Sequence, residues 1–211
     1  MMPKPRRHDA EAARADILAA ALTEFAEHGH AGARIDRIAA ASGMSKPMIY
    51  SYFGDKDGLY AAALREAYVQ KRSGEDALHL GDLPPDEAIR KLIEFTLEHY
   101  LDRPWFVSML NTENLRGGQT VREIADMTEV QSPMLEALRA VLARGARDGS
   151  FRAGVDATDL YVTIASLCYF PVSNRHTLGA VFGRDIRDPS WRRRRVADIS
   201  SMVLAWLAAP S

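Results

Sequence analysis

The sequence has a single cysteine, Cys168, so an intrachain disulfide is excluded and a reducing cytoplasm is the expected setting. No stretch approaches about 18 uncharged apolar residues, which argues against a transmembrane helix. The opening MMPKPRRHDAEAARAD is charged and lacks the apolar core of a signal peptide. A charge surplus is missing as well. The chain has 27 Lys+Arg against 28 Asp+Glu, a formal net charge of -1, and residues 1–60 carry eight of each sign. Bulk charge therefore decides nothing about nucleic acid, because phosphate contact needs only local cations. Lys4, Arg6 and Arg7 supply some, in a basic arm with no acid among residues 1–8. Patterns of the GxSxG, Walker, Rossmann and HExxH kinds are absent, and the six histidines show no ligand spacing. No catalytic residue, metal site or cofactor is expected.

Helical periodicity fills most of the remaining chain, and no convincing alternating strand interrupts it. Ile17, Leu18, Ala21, Leu22 and Phe25 form one stripe of a helix over residues 9–28, which stops at His28-Gly29. A short helix with Ile35, Ile38 and Ala39 ends near Ser42-Gly43, and a long one starts at Lys56 with Leu59, Ala63 and Ala67 on one face. Leu83-Pro84-Pro85 marks a boundary. Beyond it the pattern predicts helices over residues 86–102 and from Pro104 to Leu115, closed by Gly117-Gly118. It predicts another over 119–147, interrupted near Ser132-Pro133, and a long apolar one from Asp156 to Phe182, kinked at Pro171. The last opens at Asp188-Pro189. The fold class expected is all-α.

Between the second and fourth helices lies SKPMIYSYF, Ser45 to Phe53. On a helix, Ile49 and Phe53 share one face, Ser45 is a suitable N-cap, and Pro47 falls in the tolerant first turn. Two short helices joined by a tight turn at Gly43 have the spacing of a helix-turn-helix, whose second helix enters the major groove of DNA. Lys46, Met48, Tyr50, Ser51 and Tyr52 then remain outward, available to bases and phosphates.

The string RIDRIAAASGMSKPMIYSYFGDKDGLY, Arg34 to Tyr60, resembles the DNA-binding signature of the TetR family of bacterial transcriptional regulators. The likeness rests on Ile38-Ala39, Gly43, Ser45-Lys46, Tyr50, Phe53, Lys56 and Leu59, and the upstream ILAAALTEFAEHG also fits. The resemblance implies a homodimer with a helix-turn-helix head, including the arm, over residues 1–55, and a larger helical ligand-binding and dimerisation domain over 56–211. It implies a palindromic double-stranded DNA operator and a small-molecule effector that residue types alone do not identify. It points to Tyr50 and Lys56 on the phosphate backbone and to Lys46, Pro47 and Met48 near base edges. One departure stands out: the family pattern has Thr or Ser capping the second helix, and here Ala33-Arg34 stands instead. Arg34 would reach the same phosphate with its longer side chain, and the cap must come from elsewhere. A ligand-released repressor is the reading adopted. An activator or constitutive DNA binder of the same fold stays open, as does, from another class, a helical enzyme or protein-binding adaptor.

For the effector, WFVSMLNTENLRGG mixes apolar Trp105, Phe106 and Met109 with polar Asn111, Asn114 and Arg116, and the long helix adds Tyr169 and Arg175. Ligand sites combine apolar area with a few placed polar groups. Two arginines favour an acid, since guanidinium binds a carboxylate bidentately. For the dimer, the last two helices have the most continuous apolar surface, through Ile164, Leu167, Val196, Ile199, Val203 and Trp206. The run Arg192-Arg193-Arg194-Arg195 at the start of the final helix reads as a solvated or subunit-flanking face.

Overall fold

The computed structural model describes residues 7–183 and 185–208, with side chains from residue 10 onward. The basic arm of Lys4, Arg6 and Arg7 lies outside the described side chains. Eleven α-helices, a 3-10 turn at Leu80–Asp82 and one isolated antiparallel bridge between Phe151 and Ala208 account for the regular structure of the described residues. By internal packing the chain groups into two compact units, Met1–Val69 with Ser108–Met127 and Gln70–Val107 with Thr128–Ser211.

In the first unit, α1 (Arg7–Gly32) turns Ile17, Leu18, Ala21, Leu22 and Phe25 inward, and all five are buried. Helix α2 (Ile35–Ser42) buries Ile38 and stops at Gly43, whose φ of 69° lies in the left-handed region that a Cβ disfavours. Two residues later Ser45 caps α3 (Lys46–Phe53), its hydroxyl accepting the Met48 N–H at 3.4 Å. Helix α4 (Lys56–Asp76) brings Leu59, Tyr60, Ala63, Leu64 and Ala67 to the same core, with Tyr60 edge-on to Phe25 at 5.0 Å. The second stretch of this unit adds Met109 of α6 (Pro104–Leu115), which is fully buried. On the same helix, Glu113 Oε1 accepts the N–H groups of Thr120 (2.7 Å) and Val121 (3.1 Å). It thereby starts α7 (Gln119–Glu123), whose N-cap, Gly118, has no side chain to do so.

In the second unit, α5 (Pro85–Asp102) buries Ile89, Leu92, Ile93, Thr96, Leu97 and Tyr100 and packs against α9 (Ala157–Ser173) and α11 (Pro189–Leu207). Helix α8 (Met127–Asp148) adds Met134, Leu138, Val141 and Leu142.

Two expected interruptions fall elsewhere. The break placed at Ser132-Pro133 occurs at residues 124–126, and α8 runs straight through Pro133. The carbonyl that Pro133 leaves without a donor belongs to Glu129, which is exposed, so water can take it. The long helix does not reach Phe182 unbroken: α9 ends at Ser173, and α10 (Arg175–Phe182) starts after Asn174, whose side chain donates back to the Phe170 carbonyl at 3.0 Å. Pro171 lies inside α9 and removes the N–H that would serve the Leu167 carbonyl. Arg195 of α11 replaces it, its Nη2 donating to that oxygen at 2.7 Å.

That replacement yields a test. Arg195→Met should lower the unfolding free energy in urea by about 1–3 kcal/mol, because a part-buried carbonyl is left unpaired. Adding Pro171→Ala, which restores an N–H to the helix, should recover part of the loss in a double-mutant cycle. Strictly additive losses would show that Arg195 does not serve this carbonyl.

Candidate functional site

Helix α3 hangs on one fully buried residue, Ile49, with Phe53 half-buried beside it. Around that anchor Ser45, Lys46, Pro47, Met48, Tyr50 and Ser51 are exposed and Tyr52 is half-buried. Met48 and Tyr50 keep 40% and 44% of their surface. The Ser51 hydroxyl donates to the Met48 carbonyl at 2.7 Å. Arg14 of α1 places its guanidinium 5.3 Å from the Phe53 ring centre, fixing the far end of the helix.

The missing cap of α2 is supplied across the unit. Arg34 makes no side-chain cap. Its backbone N–H instead donates to Glu24 Oε1 of α1 at 2.8 Å, and the same carboxylate takes Arg37 Nε at 2.8 and 2.9 Å. Arg37 also donates to the Gly32 carbonyl at 2.9 Å. Glu24 keeps only 7% of its surface, and the Arg37 guanidinium holds its carboxyl below the usual carboxylate range. With its backbone satisfied, the Arg34 side chain is left exposed.

Local charge on this face is partly masked. Lys46 Nζ is ion-paired with Asp36 of α2, and Lys56 Nζ donates to the Ala31 carbonyl at 3.3 Å. Asp36 in turn is held below its ordinary pKa by Lys46. Any acceptor that takes the Lys46 ammonium must compete with Asp36.

The eight residues singled out for an effector are divided between the two units. In the first, Met109 is core, Asn111 half-buried, and Asn114 exposed with its side-chain amide on the Leu110 carbonyl at 2.8 Å. Arg116 points at the head: its Nη1 lies 2.8 Å from His30 Nδ1 and its guanidinium covers the Tyr60 ring at 5.5 Å. His30 Nε2 is 2.6 Å from Asp57, and burial followed by Arg116 lowers its pKa, so Nδ1 accepts from Arg116 in the neutral ring. In the second unit, Trp105 is edge-on to buried Phe106 at 6.0 Å, Tyr169 is edge-on to Tyr100 at 5.7 Å, and Arg175 donates to the Val172 carbonyl at 3.3 Å.

Residue-type reasoning missed a buried polar cluster in the second unit. Lys71 and Glu75 are 1% and 2% exposed and 2.6 Å apart. Tyr161 of α9 joins them, its hydroxyl 2.5 Å from Lys71 Nζ, 2.5 Å from Arg72 Nη2 and 3.2 Å from Glu75 Oε1. Burial, and then the cations Lys71, Arg103 and Arg72, push the pKa of His99 down to about 3, so its ring is neutral. In sequence, KRSGED looks like a solvated charged face, and nothing local reveals its burial. The arginine run also finds partners: Arg192 with Asp102 at 2.8 Å, Arg194 with the Ser190 hydroxyl at 2.8 Å, and Arg195 with Leu167 as above.

On the α9 and α11 surface, Ile164, Ile199 and Val203 are buried within the unit, and Leu167 and Val196 are half-buried. The large apolar side chains left exposed there are Val162, Phe170, Met202 and Trp206, with Val181 and Phe182 on α10. Burial by the protomer's own core separates the first set from the second, a distinction the apolar pattern alone does not draw.

Comparison with known proteins is consistent along the chain. Residues 17–63 match the family described as bacterial regulatory proteins, tetR family, and residues 85–203 match the tetracyclin repressor-like C-terminal domain. The HTH-type transcriptional repressor NicS of Pseudomonas putida is 34% identical over 202 residues, 96% of this chain and 95% of that one. A TetR family regulator from Marinobacter aquaeolei shares the fold with a TM-score of 0.73 at 21% identity, over 97% of this chain and 100% of its own. FadR from Bacillus subtilis, solved in complex with stearoyl-CoA, shares it with a TM-score of 0.68 at 17% identity, over 92% and 98%.

The Glu24 contacts carry a pH signature. A carboxyl whose folded pKa is depressed below 4.5 contributes stability that is complete above that value and lost as pH falls through the depressed one. Glu24→Gln should therefore cost about 1–3 kcal/mol near neutral pH, and its deficit against the parent should shrink on acidification below 4.5. Urea unfolding at pH 7 and pH 3.5 checks this. A deficit of the same size at both would place the stabilisation outside the Glu24 charge.

Proposed function

Since the chain belongs to the TetR family of bacterial regulatory proteins, a class of transcriptional regulators and not of enzymes, we propose that it is a ligand-released repressor. It binds a palindromic operator as a homodimer in the cytoplasm. The observation that carries the DNA reading is the exposed face of α3, where Lys46, Pro47, Met48 and Tyr50 stand out around a single buried anchor. Lys46 donates to a guanine edge once it leaves Asp36, Met48 meets a thymine methyl, and Tyr50, Lys56 and Arg34 take phosphates. Ser45, Ser51 and Tyr52 complete the surface. Two such heads must match half-sites about 34–36 Å apart, so the operator is read by the dimer as a whole.

The exposed apolar residues of α9 and α11 support an isologous interface, in which the same patch serves both copies. An effector held in the second unit releases DNA only to the extent that it binds the two arrangements of the dimer unequally. That NicS is named a repressor, and that FadR was solved with stearoyl-CoA, support a reading in which this fold couples small-molecule binding to DNA binding.

Gel shifts with the DNA upstream of the chain's own gene test the head. Lys46→Ala should cost roughly 1–3 kcal/mol at one base pair and relax preference there. Lys56→Ala should weaken all sites alike and reduce the salt slope by about one. Equal loss for Lys46→Ala on specific and random DNA removes it from base readout. Two neighbours on α11 test the interface. Met202→Asp, at an exposed position, should give a folded monomer with weak operator affinity, whereas Val203→Asp, at a buried one, should lose the fold itself. A Met202→Asp protein that still sediments as a dimer moves the interface elsewhere.

A further inference from the structure

Other acids of the head hold backbone or ring groups in place. Glu24 caps α2, Asp55 accepts the Gly58 N–H at 2.8 Å, and Asp57 is 2.6 Å from His30 Nε2. Asp36 has a different partner, Lys46, the first residue of α3. It stands in the first turn of α2, two positions before the buried Ile38, and so is turned to the outward side of that helix. Both side chains of the pair are about half exposed, 50% for Lys46 and 55% for Asp36. Such a pair adds little to stability, because water screens it and two flexible side chains must be held in one geometry. Its effect is to put a carboxylate on the face by which α3 meets DNA.

That placement runs against the chemistry of a phosphate-binding surface. In a helix-turn-helix the first helix crosses the DNA backbone while the second enters the groove. With α2 and α3 in those places, Asp36 lies where phosphates approach, and Arg34 is the exposed cation beside it on α2. A carboxylate there disfavours every sequence alike, yet the cation it engages is the one placed to read a base. We propose that Asp36 is a specificity-determining residue, which withholds Lys46 from phosphates and yields it to a guanine edge. On DNA of arbitrary sequence Lys46 is offered one more anionic oxygen, and Asp36 already supplies that from within the head. The pair then stays closed, and the nonspecific complex has one phosphate contact fewer. On the operator a guanine offers O6 and N7 together, and the ammonium leaves a weakly held partner for them. The inference rests on the reading of α3 as the DNA-reading helix and goes beyond it by giving a role to a residue of α2 that touches no base.

Fluorescence anisotropy with the full chain tests it, on a duplex that the chain itself selects from a random pool and on a scrambled duplex of the same composition. Affinity is followed from about 50 to 200 mM salt, where each phosphate contact shows in the slope. Asp36→Asn keeps the shape of the side chain and removes its charge. On the scrambled duplex it should steepen the slope of log affinity against log salt by about 0.9 and raise affinity about eightfold near 0.1 M salt, the signature of one added phosphate contact. On the selected duplex the slope should stay that of the parent, so that the preference between the two falls. Asp36→Ser should act alike. In a Lys46→Ala background, Asp36→Asn should leave the scrambled-duplex slope unaltered, because no ammonium is there to be freed. An unchanged slope on scrambled DNA overturns the proposal. So does a steepening of equal size on both duplexes, or one that persists in Lys46→Ala, either of which marks Asp36 as a general repulsive charge. These outcomes leave the DNA reading of α3 standing, since the parent has selected a duplex. A parent that selects none overturns that reading and this proposal together.

Discussion

The head of this protein depends on one carboxylate. Glu24 sends a single side chain from α1 to the start of α2, where it accepts the Arg34 N–H and clasps Arg37. A serine or threonine at the start of α2 would cap that helix locally and leave its distance from α1 to packing. Glu24 does both tasks, capping α2 and tying it to α1. The position of α3 follows, because α3 is joined to α2 by Gly43 and Met44 and is anchored chiefly by Ile49. A helix with so little buried area has its direction set by what it is attached to.

That economy leaves α3 free to expose Met48 and Tyr50, side chains usually spent on a core. The chain as a whole carries a net charge of -1. The cations are few, and in the free protein Lys46 is held by Asp36. Any acceptor that takes the Lys46 ammonium must first displace this exposed aspartate.

The second unit follows a different logic, that of covering local defects from a distance. Pro171 removes an N–H from α9, and Arg195 of α11 makes good the carbonyl it frees. Lys71, Glu75 and Arg72 lie in the interior on the strength of a tyrosine hydroxyl from α9. Burying ionised groups is costly unless each finds geometry-matched partners. The partners here are the ion pairs of Glu75 with Lys71 and Arg72 and the hydroxyl of Tyr161, which serves all three.

The helices, their order and the apolar anchors of the head were legible in the sequence, because they rest on short-range rules. Periodicity placed Ile17, Phe25, Ile38 and Ile49 inside, Ser45 announced a cap, and Gly43 a left-handed turn. The family signature was equally local, nine residues within one stretch. Distant partners were not legible. Glu24 lies ten residues from the N–H it caps, Arg195 lies 28 residues from its carbonyl, and Tyr161 lies 90 from Lys71. Proline looked like an interruption at 133 and a kink at 171, since local rules cannot see that Glu129 is exposed to solvent or that a guanidinium arrives from α11. The same reason separates the apolar residues of the last helices. Ile199, Val203, Met202 and Trp206 all count toward the same apolar pattern, and only the packing of α11 against α5 and α9 determines which face the core and which are left exposed.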